Sequence, residues 1–208
     1  MHRTRNPESG NASWVQIPPC PLPSPSRMLE HPIAALDFEC SGHGRNGENV
    51  AVEIGLIILH PSGRIEVVAD SLLSGASRIT YHAWRTHGIS IWQCRGKPRL
   101  EAFREKIKFA AQWPICVHAK GTEKKVLQEE LGLGGFTFWD SLLLGRQRLR
   151  GTCPNFQLKT LAEHMGVTEK LKEVFPQGKW HRAAYDAAAS AMIVKKLKET
   201  ATEKEKTV

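Results

Sequence analysis

The segment Ile33-Ala34-Ala35-Leu36-Asp37-Phe38-Glu39 is the strongest constraint in the chain. It is apolar enough to be a buried strand, yet it carries two carboxylates two residues apart. Side chains alternate along a strand, so Asp37 and Glu39 point the same way, about 7 Å apart. An ionised group inside an apolar strand is very costly without a partner. Either this is a strand end that leaves both acids in solvent, or the fold supplies a cation at this face.

The segments around it read as further strands: Val50 to Leu59, then Arg64 to Leu73, with a tight turn at Pro61-Ser62-Gly63. A meander is the economical pairing. A basic amphipathic stretch follows from Pro98 to Gln112, then a short apolar run from Pro114 to Val117 and a helix from about Thr122 to Leu131. Phe136 to Trp139 reads as one more short strand. Helices are expected over Ser141 to Leu149, Phe156 to Met165 and Arg182 to Leu197, the last rich in alanine. Strands first, then alternating helix and strand, imply an α/β fold with a mixed sheet covered by helices.

At 208 residues, 41% hydrophobic and 24% charged, the chain suits one domain with tails. Residues 1–30, centred on Pro18-Pro19-Cys20-Pro21-Leu22-Pro23-Ser24-Pro25, are too proline-rich and aperiodic to pack, so a disordered arm is expected there, and Met28 is a candidate start. The domain itself is expected over residues 31–198, with a charged tail over 199–208 that resembles a frayed helix end. Five scattered cysteines without a C-x-x-C pair argue against a disulfide framework or a zinc knuckle and for a reducing compartment, the cytoplasm. No apolar run reaches the ~18 residues of a membrane span. The formal net charge of +8 favours polyanions, nucleic acid above all.

Three other acids stand out. Glu53, alone within its strand, reads as structural. Glu123 opens the middle helix, where Thr122 can cap and the acid meets the positive end of the helix dipole. Glu123, Val126, Leu127 and Glu130 share one helical face with Leu131 beside them, so this stripe faces the sheet. Asp186 lies among Ala183, Ala184, Ala187, Ala188, Ala189 and Ala191, whose small side chains let the helix lie close on the sheet and bring Asp186 near Asp37. His181, just before that helix, is free to swing over the same cleft. Asp140, ahead of Ser141, reads as a helix N-cap.

These segments resemble, in order and spacing, the DEDDh 3′-to-5′ exonucleases, the group of the proofreading epsilon subunit of DNA polymerase III and of ribonuclease T. Asp37-Phe38-Glu39-Cys40-Ser41-Gly42 is similar to the first motif, and Val52-Glu53-Ile54-Gly55 to the strand after it. His87-Gly88-Ile89-Ser90 resembles a His-Gly-Ile-Thr segment, and His118 opens the second motif. Trp139 to Arg146 resembles an Asp-Thr-Leu-Leu-Leu-Ala-Arg run, and His181 to Asp186 has the H-x-x-x-x-D spacing of the third motif. The resemblance covers residues 33 to 197. Within the second motif, roughly H-N-A-x-F-D, the chain has Glu123 where the family has aspartate and Ala119 where it has asparagine.

The resemblance implies a ribonuclease H-like five-stranded mixed sheet, an antiparallel meander plus two parallel strands, flanked by helices. It implies metal-dependent hydrolysis of phosphodiester bonds at the 3′ end of nucleic acid, with release of nucleoside monophosphates. Asp37, Glu39 and Asp186 would hold the first of two divalent ions, Mg2+ or Mn2+, and Glu123 would act from the outer shell. His181 would serve as general base, a role suited to an imidazole with an ordinary pKa near 6.5. Phe38, Cys40, Ser41, Gly42 and His118 are the expected substrate contacts, with the Cys40-Ser41-Gly42 turn as floor for the terminal sugar. Phe38, Trp84 and Trp92 are unranked candidates for base stacking. Partners would be single-stranded DNA or RNA ends, with room for a homodimer and for a protein docked on the proline-rich arm. Glu123 and Ala119 motivate an alternative, a nucleic-acid-binding module of the same fold with weakened or lost turnover.

Overall fold

The computed structural model describes residues 15–16, 30–43 and 49–206, with side chains over 30–43 and 49–200. In chain order the elements are β1 (Val15–Gln16), β2 (Ile33–Cys40), β3 (Ala51–Leu59), β4 (Ile65–Leu72), α1 (Tyr81–His87) and α2 (Ile91–Cys94). A 3-10 turn (Leu100–Phe103) leads into α3 (Arg104–Ala110), β5 (Ile115–Val117), α4 (Gly121–Glu129), β6 (Leu133–Gly134) and β7 (Phe138–Asp140). The chain ends with α5 (Ser141–Arg148), α6 (Leu158–His164), α7 (Thr168–Val174) and α8 (Ala183–Lys206).

The main sheet has the order β4-β3-β2-β5-β7. β2, β3 and β4 form the antiparallel meander, while β5 joins β2 and β7 joins β5 in parallel. This is the five-stranded mixed sheet the resemblance implies. The expected disordered arm lies outside the described residues apart from Val15–Gln16 and Glu30, and Val15–Gln16 pair in parallel with Leu133–Gly134. α8 continues to Lys206, through most of the charged segment that begins at residue 199. Among the described residues, no helix is long and apolar enough to cross a membrane.

Strand alternation divides the core. Ile33 and Ala35 of β2 join Ile57, Leu59 and the buried face of α8 on one side of the sheet. Ala34, Leu36 and Phe38 join Ile54, Leu56, Ile107 and Leu127 on the other, under α3 and α4. Asp37 and Glu39 keep the parity of Ile33 and Ala35, so they emerge on the face that α8 covers. Residues 183 to 194 of α8 are all buried, and six of these twelve positions are alanine, small enough to sit on the sheet backbone.

Gly55 makes this contact possible. It pairs with Asp37 across β2 and β3. A Cβ built on it would stand 2.1 Å from the carbonyl carbon of Ala183 and 2.2 Å from the nitrogen of Ala184. No side chain fits between β3 and the start of α8, so the absence of one at position 55 sets how near Asp186 comes to Asp37.

Candidate active site

The cleft opens beyond the carboxyl ends of the parallel strands β2, β5 and β7, where open α/β sheets place their ligands. It is a cavity of about 470 Å³ lined by Asp37, Phe38, Glu39, His118, Ala119, Thr122, Glu123, Gln157, Leu158, Lys159, Trp180, His181 and Asp186. The five expected catalytic residues, Asp37, Glu39, Glu123, His181 and Asp186, thus border one space. Ligating atoms of Glu39, His181 and Asp186 lie within 4.8 Å of one another.

Three elements place the four acids. Asp37 and Glu39 come from β2, Glu123 from the first turn of α4, and Asp186 from the first turn of α8. The stripe expected on α4 is in place: Glu123, Val126, Leu127 and Leu131 are buried, and Glu130 accepts the Ala51 N–H at 2.8 Å. Thr122 does not cap this helix. The N-cap position is Lys120, without a side-chain hydrogen bond, and Thr122 lies exposed inside the first turn beside the cavity. Starting the helix at Gly121 turns Glu123 inward while Thr122 faces water.

Asp140 is the N-cap of α5, accepting the N–H groups of Leu142 at 3.0 Å and Leu143 at 3.4 Å. The same carboxylate accepts the N–H groups of Ala119 and Lys120, both at 3.1 Å. One buried acid therefore fixes both the start of α5 and the loop that carries His118 toward Glu123. His118 is held by Ser141, whose hydroxyl donates to the Val117 carbonyl at 3.1 Å and accepts from His118 Nδ1 at 2.9 Å. That pairing leaves Nε2 as an acceptor. Ala119 has φ 63°, a left-handed conformation that asparagine adopts more readily than alanine.

The electrostatics are those of crowded, dehydrated acids. Burial first, then the charges of Glu123, Asp186 and Glu39, hold the Asp37 carboxyl well above the usual carboxylate range. Burial, with Asp186 and Glu53 behind it, pushes Glu39 up to about 8. Burial also raises Glu123 to about 8 and Asp186 to about 7, the latter opposed by the His181 N–H that it accepts at 3.1 Å. Glu123 Oε2 and Asp186 Oδ1 are buried with no hydrogen-bond partner. Orphaned carboxylate oxygens facing further acids are the chemistry of a hard-cation site.

A prediction for the metal-free protein follows from the direction of these shifts. Raised acids bind more protons in the folded than in the unfolded state, so their stabilising contribution is complete below pH ~4 and is lost as pH rises through about 8. In chelator the melting temperature should fall between pH 5 and pH 8.5. Added Mn2+ should raise it at pH 8.5 and change it little at pH 5. A melting temperature that climbs with pH in chelator would contradict this.

Glu53 is structural, as expected, and its partner comes from far along the chain. It is fully buried and accepts from Arg182 Nε at 2.8 Å, from the same guanidinium through Nη2, and from the Ala183 N–H at 3.0 Å. It thereby ties β3 to the start of α8, and Arg182 neutralises this acid, which stands directly opposite Glu39. Arg182→Ala should leave that charge buried and unpaired, lowering stability by about 3 kcal/mol or more in urea unfolding. A loss within ~0.5 kcal/mol would show that Glu53 is satisfied without it.

Cys40, Ser41 and Gly42 do not line the cavity. Ser41 is buried, and its hydroxyl accepts the Val50 N–H at 3.0 Å while its carbonyl accepts the Thr80 N–H at 2.8 Å. Gly42, at φ 76°, receives the N-cap of α1: a Cβ there would stand 2.2 Å from Thr80 Oγ1. Sequence reasoning missed Gln157, Leu158, Lys159 and Trp180, which close the cavity from the N-terminus of α6 and the loop before α8. Only Trp180, next to His181, carried a signal that could have found it.

Comparison with solved structures gives the same arrangement of elements. Exonuclease X, in complex with 5′ overhanging duplex DNA, is 20% identical over 82% of this chain and 93% of its own, with a TM-score of 0.61. The nuclease domain of 3′hExo, a DEDDh family member bound to rAMP, is 11% identical over 82% and 93%, with a TM-score of 0.64. Exonuclease I of E. coli with a dA16 oligonucleotide is 15% identical over 81% of this chain, which spans 41% of that protein, with a TM-score of 0.60. No protein-family model and no curated protein matches the chain. The chain has the ribonuclease H-like fold of these exonucleases.

Proposed function

We propose that the chain is a metal-dependent 3′-to-5′ exonuclease that hydrolyses the terminal phosphodiester of single-stranded DNA or RNA and releases nucleoside monophosphates. One observation carries this: four acids from three elements and a histidine from a fourth segment border a single cavity, with two of the carboxylate oxygens buried and unpartnered. Asp37, Glu39 and Asp186 are the residues that would hold a divalent ion, and Glu123 stands behind them for a second. Mg2+ or Mn2+ bound there supplies charge neutralisation and a nucleophile at neutral pH.

The chain's own residues account for the remaining tasks. His181 is exposed at the rim, beside Glu39 and Asp186, where it can take the proton of the attacking water. Its backbone has φ 64°, and its N–H donates to Asp186 Oδ2, so one acid both faces the cation site and fixes the turn that carries the base. His118 Nε2 is available to accept a hydrogen bond from a sugar hydroxyl. Phe38 and Trp180 are apolar walls for the terminal nucleoside, and Trp180 is braced edge-on by Tyr185 at 5.0 Å. Cys40, Cys94, Cys116 and Cys153 are free thiols, which supports a reducing compartment such as the cytoplasm.

A 5′-labelled single-stranded oligonucleotide with Mg2+ or Mn2+ tests the reading. It should shorten as a ladder from its 3′ end, with cleavage abolished by EDTA and cut by about 10²-fold or more in His181→Ala. Activity should rise with pH, since both cation capture and proton acceptance need deprotonated groups. An intact label in both metals would favour the binding module that Glu123 and Ala119 motivate.

A further inference from the structure

We propose that α1 and α2 form a stacking platform for single-stranded nucleic acid, engaging nucleotides beyond the 3′-terminal one. This rests on the exonuclease reading for the identity of the strand, and on a separate set of residues for the platform itself. Tyr81, Trp84 and Trp92 are the exposed large aromatics of this segment, at 70%, 47% and 66%. Tyr81 and Trp84 lie side by side with centroids 5.8 Å apart. Arg95 covers the Trp92 ring at 3.7 Å, and Arg85 stands 5.9 Å from the Tyr81 ring. Exposed rings with guanidinium groups beside them are what unpaired bases and their phosphates bind.

The charge of the segment selects the occupant. Between Asp70 and Glu101 there is no acidic residue, while Arg78, Arg85, Arg95, Lys97 and Arg99 all lie exposed. A polyanion is favoured along its whole length, and the aromatic rings favour one with planar bases over an acidic peptide or a lipid surface. Phe38, by contrast, is only 5% exposed and lines the cavity, so it is not part of this surface.

The platform is fastened to the end of β2, next to Glu39 of the cavity wall. α1 rests on the residues that follow Glu39: the Thr80 N–H donates to Ser41, Ala83 stands against Gly42, and His87 Nε2 donates to the Cys40 carbonyl at 3.2 Å. His87 Nδ1 accepts the Ile89 N–H at 2.9 Å, so the buried imidazole locks α1 and the start of α2 to the end of β2. On the far side, Lys179, two residues before His181, brings its Nζ to 4.0 Å from the Cβ position of Gly88. These contacts hold α1 next to the segment that follows Glu39, and the proposal takes a strand whose 3′ end occupies the cavity to leave over this helix.

The test is equilibrium binding of the full chain in EDTA, where no turnover occurs, using 5′-fluorescein oligo(dT) of three and fifteen nucleotides. The parent should bind the longer strand about 100-fold more tightly, and Trp84→Ala with Trp92→Ala should remove most of that difference, at about 10-fold per ring. Trp84→Phe with Trp92→Phe should keep most of it, because a phenyl ring still stacks. Arg85→Ala with Arg95→Ala should flatten the salt dependence by about 1.4 in log-log slope, roughly 0.7 per phosphate contact. Equal affinity for both lengths, or a double alanine variant that keeps the length dependence, would overturn the platform. So would length-independent binding coupled to capture of phosphatidylserine vesicles. A parent that binds by length yet never cleaves in Mg2+ or Mn2+ supports the platform and sinks the exonuclease reading, so the two failures are distinguishable.

Discussion

Asp37→Asn is expected to abolish nucleolytic activity while making the metal-free protein more stable. Asp37 sits at the centre of the acid cluster, with burial as the largest influence and Glu123, Asp186 and Glu39 adding repulsion. The amide has the same shape, carries no charge and removes that repulsion from each neighbour. Stability in chelator at pH 8 should rise by about 1 kcal/mol or more, roughly 3 °C for a chain of this length. The same change removes a carboxylate from the proposed cation site, and losing several kcal/mol of charge stabilisation in the transition state should lower the rate by about 10³-fold or more. Thermal melts in EDTA and a single-turnover cleavage assay measure the two effects. A destabilised variant would mean that the acids are paired in a way the geometry does not show, and an active variant would remove Asp37 from the chemistry.

Gly55→Ala should damage both stability and activity although residue 55 touches no substrate. Its new methyl would overlap the backbone of Ala183 and Ala184 at 2.1 to 2.3 Å, and backbone cannot rotate aside as a side chain can. The start of α8 must lift from β3, straining the Glu53 bonds to Arg182 and Ala183 and moving Asp186 and His181 away from Asp37. The expected cost is about 3 kcal/mol in urea unfolding. A displacement near 1 Å at the site lowers the cleavage rate by about 10²-fold. Gly121→Ala is the control: a Cβ there meets nothing within 4 Å, and alanine suits the first turn of α4. If Gly55→Ala behaved like that control, close docking of α8 would not be what brings the third motif to the first.

These two residues also show how far the sequence could be read. The parity of Asp37 and Glu39 is local, and so is the alanine face that carries Asp186, so both were legible and both stand where alternation and helical spacing put them. Asp140 was legible as a cap because Ser141 and an apolar run follow it. Its second role, holding Ala119 and Lys120, was not, because that bond spans 21 residues. Glu53 could be judged structural but not paired, since Arg182 lies 129 residues away and only the sheet brings them together.

Other parts were illegible for different reasons. α1 and α2 are seven and four residues long, too short to be stable alone or to show a periodic stripe, and they exist because Thr80 and His87 are tied to β2. The resemblance implies that the Cys40-Ser41-Gly42 turn has a close neighbour, the terminal sugar. The structure gives it one, Thr80, a partner that no local pattern could have named.

Everything proposed for the site requires Asp37, Glu39 and Asp186 to converge on a hard cation. Diffraction from crystals grown with Mn2+, recorded for anomalous scattering, tests it most directly. A strong peak flanked by those three carboxylates is expected, absent from crystals of Asp37→Asn. No peak beside Asp37, or manganese bound only at the outer surface, would contradict it.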